Sequence, residues 1–340
     1  MKKIIFLLLC GILLFGCIDG GEKPPVEVPD ENETDGDITV VVEPQQNDTV
    51  TGNETPEEPP DIGVDPGAEI EYTQEPDSVF TIYFIHVGDE GFGVHGDAIL
   101  IKKGDFDALI DAGPSETAGR VIDFLKSRNI DDLDVLMLTN GDPEHYGGVP
   151  LIASEYDIEE FWWAGGVTFA DEGYENAIDA ASSKAELTRE IEYGYSRTLN
   201  GLTFDIINPP HAREEDVQND AIVTRLSDRN FSILLTSGIR AGTHGRLANE
   251  EADMIKVDVL QAPDHGLGSG TSNIGIFLVT SNPDVAIISG SADDSPEAGG
   301  SRDPFKRYLE QYDIELFETY ANGTVRITSD GYDYSIAYLG

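Results

Sequence analysis

Leu138-Thr139-Asn140-Gly141-Asp142-Pro143-Glu144-His145-Tyr146-Gly147-Gly148 closes an apolar run that starts at Val135. A strand that ends in such a loop aims the side chains that follow it at one point, and Asp142, Glu144 and His145 are all metal-compatible donors. An Asp-Pro-Glu turn that simply opens a helix has the same letters. The surrounding chain separates the two readings.

Outward from this loop, strand-like runs recur at Phe80–His86, Asp97–Lys102, Phe106–Asp111, Val135–Thr139, Leu202–Ile207, Ile222–Leu226, Ser232–Thr236, Val257–Leu260, Val285–Ser289, Ile314–Thr319, Thr324–Thr328 and Tyr334–Tyr338. Helical patterns interrupt them. Glu116–Arg128 places Ala118, Val121, Ile122 and Leu125 on one face behind Ser115 as a cap, and further helices are expected at Tyr174–Arg189, Asn273–Val279 and Pro304–Tyr312. Meandering strands with a few returning helices favour two sheets flanked by helices over an open doubly wound sheet. Phe161-Trp162-Trp163 reads as core more readily than as a stacking platform for bases or sugars. No serine sits in a nucleophile-elbow sequence, so Ser-His-Asp catalysis has no support.

Six segments in order resemble the metallo-β-lactamase superfamily, in the branch formed by the soluble domain of bacterial DNA-uptake competence channels and stand-alone proteins of the ComEC type. They are Val87-Gly88 with Gly96-Asp97-Ala98-Ile99-Leu100-Ile101, Leu109-Ile110-Asp111-Ala112-Gly113-Pro114, Thr139 to Gly148, Asn219-Asp220 with Leu234-Leu235-Thr236, Pro263-Asp264-His265-Gly266, and Asn322-Gly323-Thr324 with Asp330-Gly331. The resemblance spans nearly all of 79–340 and implies a four-layer αββα sandwich. It also implies one or two divalent ions that activate a water for hydrolysis.

Several ligand positions of that branch are altered. Asn140 stands for the first histidine of the metal loop and Glu144 for an aspartate, whereas Asp142 and His145 match. Leu234-Leu235-Thr236-Ser237-Gly238 puts Gly238 where the branch has the aspartate that bridges two metals. Pro263-Asp264-His265-Gly266 has Asp264 for one histidine, and Asp303 before Pro304 replaces a late one. The resemblance therefore implies a metal set of Asp142, Glu144, His145, Asp264, His265 and Asp303, with Asp111 and Asn140 behind it as orienting groups. So carboxylate-rich a set leans towards harder ions, and the expected cofactor is one divalent ion, zinc, manganese or calcium.

Three readings stay open. A single metal still polarises a water with Glu144 or Asp264 as general base, making a mononuclear phosphodiester, ester or lactone hydrolase. The fold has lost its metal and serves as a surface binding module, its mouth lined by Asp142, His145 and His265; loss or sharp reduction of dinuclear catalysis is the favoured reading. An ion merely braces the loops. His86 and His95 read as structural or solvated groups, although the resemblance puts His86 in the place of a family aspartate that could approach the site, and His211 and His244 read as surface groups.

From its first residues the domain is expected outside the cell. Met1-Lys2-Lys3 and the run Ile4 to Phe15 form the basic and apolar parts of a secretory signal, too short to span a bilayer. Leu14-Phe15-Gly16-Cys17 resembles a lipobox, so 1–17 is expected to be a lipoprotein signal and Cys17 the lipid-bearing first residue of the mature chain. An uncleaved N-terminal anchor is the alternative. Cys10 would be discarded, leaving no cysteine for disulfides or metal. Residues 18–78 carry 19 acidic residues against Lys23 alone, have no apolar periodicity, and read as a disordered tether with sequons at Asn32, Asn47 and Asn53. Two further sequons fall at Asn230 and Asn322.

The remaining 79–340 still carries a net charge of −28. Such a domain repels phosphate backbones and lacks the basic stripe of nucleic-acid binders. In about 1 M salt the screening length of roughly 3 Å mutes that repulsion. The expected partners are the membrane, through the lipid on Cys17, and a cell-surface protein or glycan. The expected location is the extracellular face of the cytoplasmic membrane.

Overall fold

Alternate residues of the central strands face two different cores. Ile82, Ile99, Ile101, Ala108, Ile110, Val135 and Met137 point one way, Tyr83, Leu100, Leu109, Leu136 and Leu138 the other, and all are buried. The period-two pattern puts both faces of the sheet under cover, as strands between two apolar layers require. The computed structural model describes residues 79–89, 94–165, 171–211, 216–267, 273–292 and 301–339. The signal, Cys17 and the tether lie outside the described residues.

Strands β1 (Phe80–Phe84), β2 (Ile99–Lys103), β3 (Phe106–Ile110), β4 (Leu133–Leu138), β5 (Ile158–Ala164) and β6 (Ala185–Ile191) lie side by side in that order. The second sheet runs back from β7 (Ser196–Leu199) through β8 (Leu202–Asn208), β9 (Val223–Asp228), β10 (Phe231–Leu235), β11 (Val259–Gln261) and β12 (Val285–Ile288) to β13 (Glu315–Glu318). The chain then returns to the first sheet, adding β14 (Thr324–Ser329) beside β1 and β15 (Tyr334–Leu339) at the edge. Both sheets are mixed: β3 to β6 and β10 to β13 pair in parallel, the other strands antiparallel.

Between the sheets lies an apolar layer that includes Phe84, Trp162, Phe204, Phe231 and Ile287. Helices α1 (Ala118–Ser127), α2 (Pro143–Tyr146), α3 (Val149–Glu155) and α4 (Glu172–Ser182) belong with the first sheet, whose outer face they cover with Val121, Leu125, Val149, Ile152 and Ala177 among others. Helices α5 (Ala241–Glu250), α6 (Asn273–Ser281) and α7 (Asp303–Gln311) cover the second with Leu247, Phe277 and Leu309, and α8 (Thr319–Asn322) is one turn between β13 and β14. The layer order is αββα, as the resemblance implies.

Two local expectations need correction. The helix expected at Tyr174–Arg189 stops at Ser182, and Ala185–Ile191 is instead β6, paired in parallel with β5 from Ile158↔Ala185 to Ala164↔Ile191. Ser182-Ser183 is a weak helix continuation, and β5 offers a ladder of backbone partners that helical propensity does not match. The cap of α1 is Thr117 rather than Ser115, and its hydroxyl donates to Val87 O (2.7 Å), tying the helix start to the end of β1. Trp162 is fully buried between the sheets and Phe161 on the opposite face, in keeping with the core reading of that trio.

Candidate metal centre

The site forms where loops leave the ends of β3, β4, β10, β11 and β12. Asp111, just past β3, takes a left-handed backbone (φ 57°) and turns its carboxylate back on the loop after β4. There it accepts from Thr139 N (2.8 Å) and Thr139 Oγ1 (2.6 Å), and pairs with His145 Nδ1 at 2.8 Å. Asp142 caps the single turn α2, accepting from Glu144 N at 3.2 Å, so that Glu144 and His145 project from the helix start. On the opposite sheet the turn Pro263–Gly266 carries two successive left-handed residues, Asp264 (φ 50°) and His265 (φ 52°). Such backbone is unfavourable for residues with a Cβ and persists only where the surroundings hold it. Here Asp264 N donates to Ser237 O (3.0 Å) and Arg302 Nε donates to His265 O (2.8 Å).

Asp97, His145 and His265 are all buried, and one donor atom of each lies within 4.8 Å of the others. His145 Nδ1 is 3.7 Å and His265 Nδ1 4.0 Å from the Asp97 carboxylate. Each histidine has its Nδ1 held by an oxygen, Asp111 for His145 and the carbonyl of Ser289 (3.2 Å) for His265. A carbonyl only accepts, so Nδ1 of His265 carries a proton and its Nε2 faces Glu144 Oε2 at 3.5 Å. Oxygen partners behind the imidazoles are the arrangement that orients metal-ligating histidines, and the donor set fits a divalent ion. Ser289 Oγ in turn donates to Asp97.

The charges in this pocket are strongly coupled. Burial disfavours the imidazolium of His145, but Asp111, with Asp97 and Asp142 behind it, outweighs burial and lifts the ring to about 10. His265 moves up for the same reason, its burial opposed by Asp97 and Glu144. Burial also works against the Glu144 carboxylate, yet the hydrogen bond and charge of His265 prevail and hold it at about 2. Asp264 goes the other way, because burial outweighs the attraction of Arg240, which donates to it at 3.1 Å. Both imidazoles are thus pushed towards the protonated form by the carboxylates around them. Loading an ion replaces those protons.

The other half of the loop is filled with amides. Asn140, fully buried, donates to Gln218 Oε1 (2.6 Å), and Gln218 Nε2 donates to Asp142 Oδ2 (3.0 Å). Gly238 lies directly beneath: a Cβ on it would stand 1.7 Å from Gln218 Oε1 and 2.6 Å from Asn140 Nδ2. The carboxamide of Gln218 therefore occupies the space from which a side chain at 238 would grow. Outside this plug a cleft of about 480 Å³ is lined by Asp142, Asp171, Asp216, Gln218 and Arg240, among others.

Of the residues expected from sequence, the structure brings Glu144, His145 and His265 together, with Asp111 behind His145. Asp142 and Asn140 face the Gln218 plug, Asp264 pairs with Arg240 at the rim, and Asp303 is exposed at the start of α7. Sequence reasoning passed over Asp97, Gln218 and Arg302. Asp97 sat inside a recognised segment, a signal that was available. Gln218 and Arg302 are brought in by the fold across long stretches of chain. His95 stacks on His265 (centroids 5.4 Å apart), which in turn stacks on His145 (5.8 Å), so His95 belongs to the site as a neighbour. His244, expected at the surface, is buried against Phe277, whereas His211 lies against Tyr193. His86 is half-buried, its backbone N–H donating to Thr324 Oγ1.

Residues 91–220 match the model of the metallo-beta-lactamase superfamily. The chain has the metallo-β-lactamase fold. Among curated proteins, ComE operon protein 3 of Bacillus subtilis is 23% identical over 206 residues, covering 61% of this chain and 26% of its own length. Competence protein ComA of Neisseria gonorrhoeae is likewise 23% identical over 207 residues, 60% of this chain and 26% of its own. The match thus spans about a quarter of these relatives. The metallo-beta-lactamase fold protein YhfI from Bacillus subtilis aligns with a TM-score of 0.50 and 9% identity, over 74% of this chain and 99% of that one, a likeness of fold. Among the described residues, the Asp97, His145 and His265 group could hold a metal ion.

Proposed function

We propose that this domain is a cell-surface binding module in which a dinuclear hydrolytic centre has been reduced to a single ion site. The carrying observation is the position of Gln218, whose carboxamide fills the space of any side chain at 238 while bonding both Asn140 and Asp142. A bridging carboxylate has no room there. Asp97, His145 and His265, with Glu144 at the edge, would hold one ion. Two imidazoles with carboxylates suit zinc or manganese better than calcium, which prefers an all-oxygen shell. Export through 1–17 and lipidation at Cys17 would place the module on the outer face of the membrane, on an acidic tether. The −28 charge of 79–340 favours a protein or glycan partner over nucleic acid.

A mononuclear hydrolase is the second reading, and Glu144 favours it. Its side chain is 31% exposed and 3.5 Å from His265 Nε2, so it stands within reach of a group arriving at the site. The ion, when bound, would polarise a water or a substrate oxygen. The test is a screen of phosphodiester, lactone and β-lactam substrates with residues 79–340 loaded with zinc or manganese. The binding-module reading expects no turnover above that of His145→Ala. Turnover that disappears in His145→Ala and His265→Ala would establish the hydrolase instead.

A further inference from the structure

Arg302 stands one residue ahead of the site position expected from sequence, and unlike the exposed Asp303 it is almost wholly buried at 1% exposure. Burying a guanidinium demands partners for its donors. Its Nε donates to the carbonyl of His265 (2.8 Å), an NH2 nitrogen meets His95 Nδ1 (3.2 Å), and its plane lies over the Tyr320 ring at 5.1 Å. The first bond holds the left-handed turn at His265; the second reaches the outer ring of a stack that runs His95, His265, His145. The backbone N–H of Ser291 also donates to His95 Nδ1 (3.2 Å), so that nitrogen is an acceptor and the proton of the neutral ring sits on Nε2.

We infer that Arg302 is the positioning residue of the ion site: it fixes the His265 turn by its main chain and fixes His95 by its ring, so that the three imidazoles hold one geometry. The inference rests on the single-ion reading for its metal-dependent consequence only. A lysine at 302 keeps the charge but loses the planar fork that serves both partners at once.

The experiment compares Arg302→Met and Arg302→Lys with Leu309→Ala, a core truncation on the same helix that touches none of the histidines. Cobalt(II) titrated into residues 79–340 reports affinity and, through its visible absorption bands, ligand geometry. Long-range proton–nitrogen spectra of the metal-free imidazoles report the tautomer of His95. Expected are a 10- to 100-fold weaker cobalt affinity and altered bands in Arg302→Met, the scale typical for groups that orient ligands. Arg302→Lys falls between, and Leu309→Ala lowers the melting temperature but leaves affinity within about twofold. In metal-free protein, wild type shows His95 protonated at Nε2, and Arg302→Met loses that single tautomer. Wild-type affinity and unchanged imidazole signals in Arg302→Met overturn the inference, as does an equal loss of affinity in Leu309→Ala. If wild type binds no cobalt, the single-ion reading fails, and the imidazole spectra alone decide the role of Arg302.

Discussion

Gly238→Asp, which restores a carboxylate where the resembled branch has one, should destabilise this domain rather than repair it. The new Cβ would meet Gln218 Oε1 at 1.7 Å and Asn140 Nδ2 at 2.6 Å, so the Gln218 side chain must leave. Its departure breaks two hydrogen bonds, one neutral to Asn140 at about 1 kcal/mol and one to the Asp142 carboxylate at about 1.5–3 kcal/mol. Overpacking adds about 1–3 kcal/mol. Allowing for relaxation of the 218 loop, the net loss should be about 3–5 kcal/mol, read as a drop in urea midpoint at unchanged slope. In a Gln218→Gly background the obstruction is gone, and the same substitution should cost at least 2 kcal/mol less by double-mutant cycle, of the order expected for residues in contact. A cost below about 1 kcal/mol in the wild-type background, or an equal cost in both backgrounds, would refute the plug. Adding Asn140→His to the pair should let the domain take up a further equivalent of zinc.

Other outcomes follow from single contacts. His244 is buried, with Nε2 donating to Ile239 O and no partner for Nδ1 among the described residues, and burial depresses its pKa to about 4. Its folded pKa lies below the unfolded 6.5, so the unfolded chain binds the extra proton between these values. Stability falls as pH drops through that window and levels off below about 4, by up to ~3 kcal/mol. His244→Gln should flatten that part of a urea-midpoint-versus-pH curve, and an unchanged curve would place the titration elsewhere. Lys103 on β2 and Asp228 on β9 form a buried pair at 3.0 Å that ties the two sheets. Lys103→Met should cost about 3–5 kcal/mol in chemical denaturation by stranding the carboxylate, and Lys103→Met with Asp228→Leu much less. Equal costs for the single and double variants would show that packing, not charge, matters there.

The layers of this fold were legible in the order of apolar runs: Ile99 and Ile101 face one core and Leu100 the other. Ala185–Ile191 was not, since an edge strand with only one buried residue carries no such alternation and follows directly on a true helix. In the site, His145 and His265 were visible because each follows a strand within a recognisable loop. Asp97 lies in a Gly-Asp-Ala segment that opens a strand, where nothing local marks an aspartate as a donor. Gln218 had no signal at all, since its role comes from a loop folding back 78 residues along the chain onto Asn140. Asp303 and Arg302 show the limit of positional reasoning at a helix start: the first turn directs neighbouring residues to opposite sides, and the inward one is the arginine. Only three-dimensional packing distinguishes the two.

The most direct test of the account is the metal content of residues 79–340, by elemental mass spectrometry after exposure to zinc, manganese and calcium and exhaustive dialysis. A single-ion site retains close to one equivalent of zinc or manganese, lost in His145→Ala, His265→Ala and Asp97→Ala and kept in Asp303→Ala. Two equivalents in the wild-type domain, or none, would contradict it.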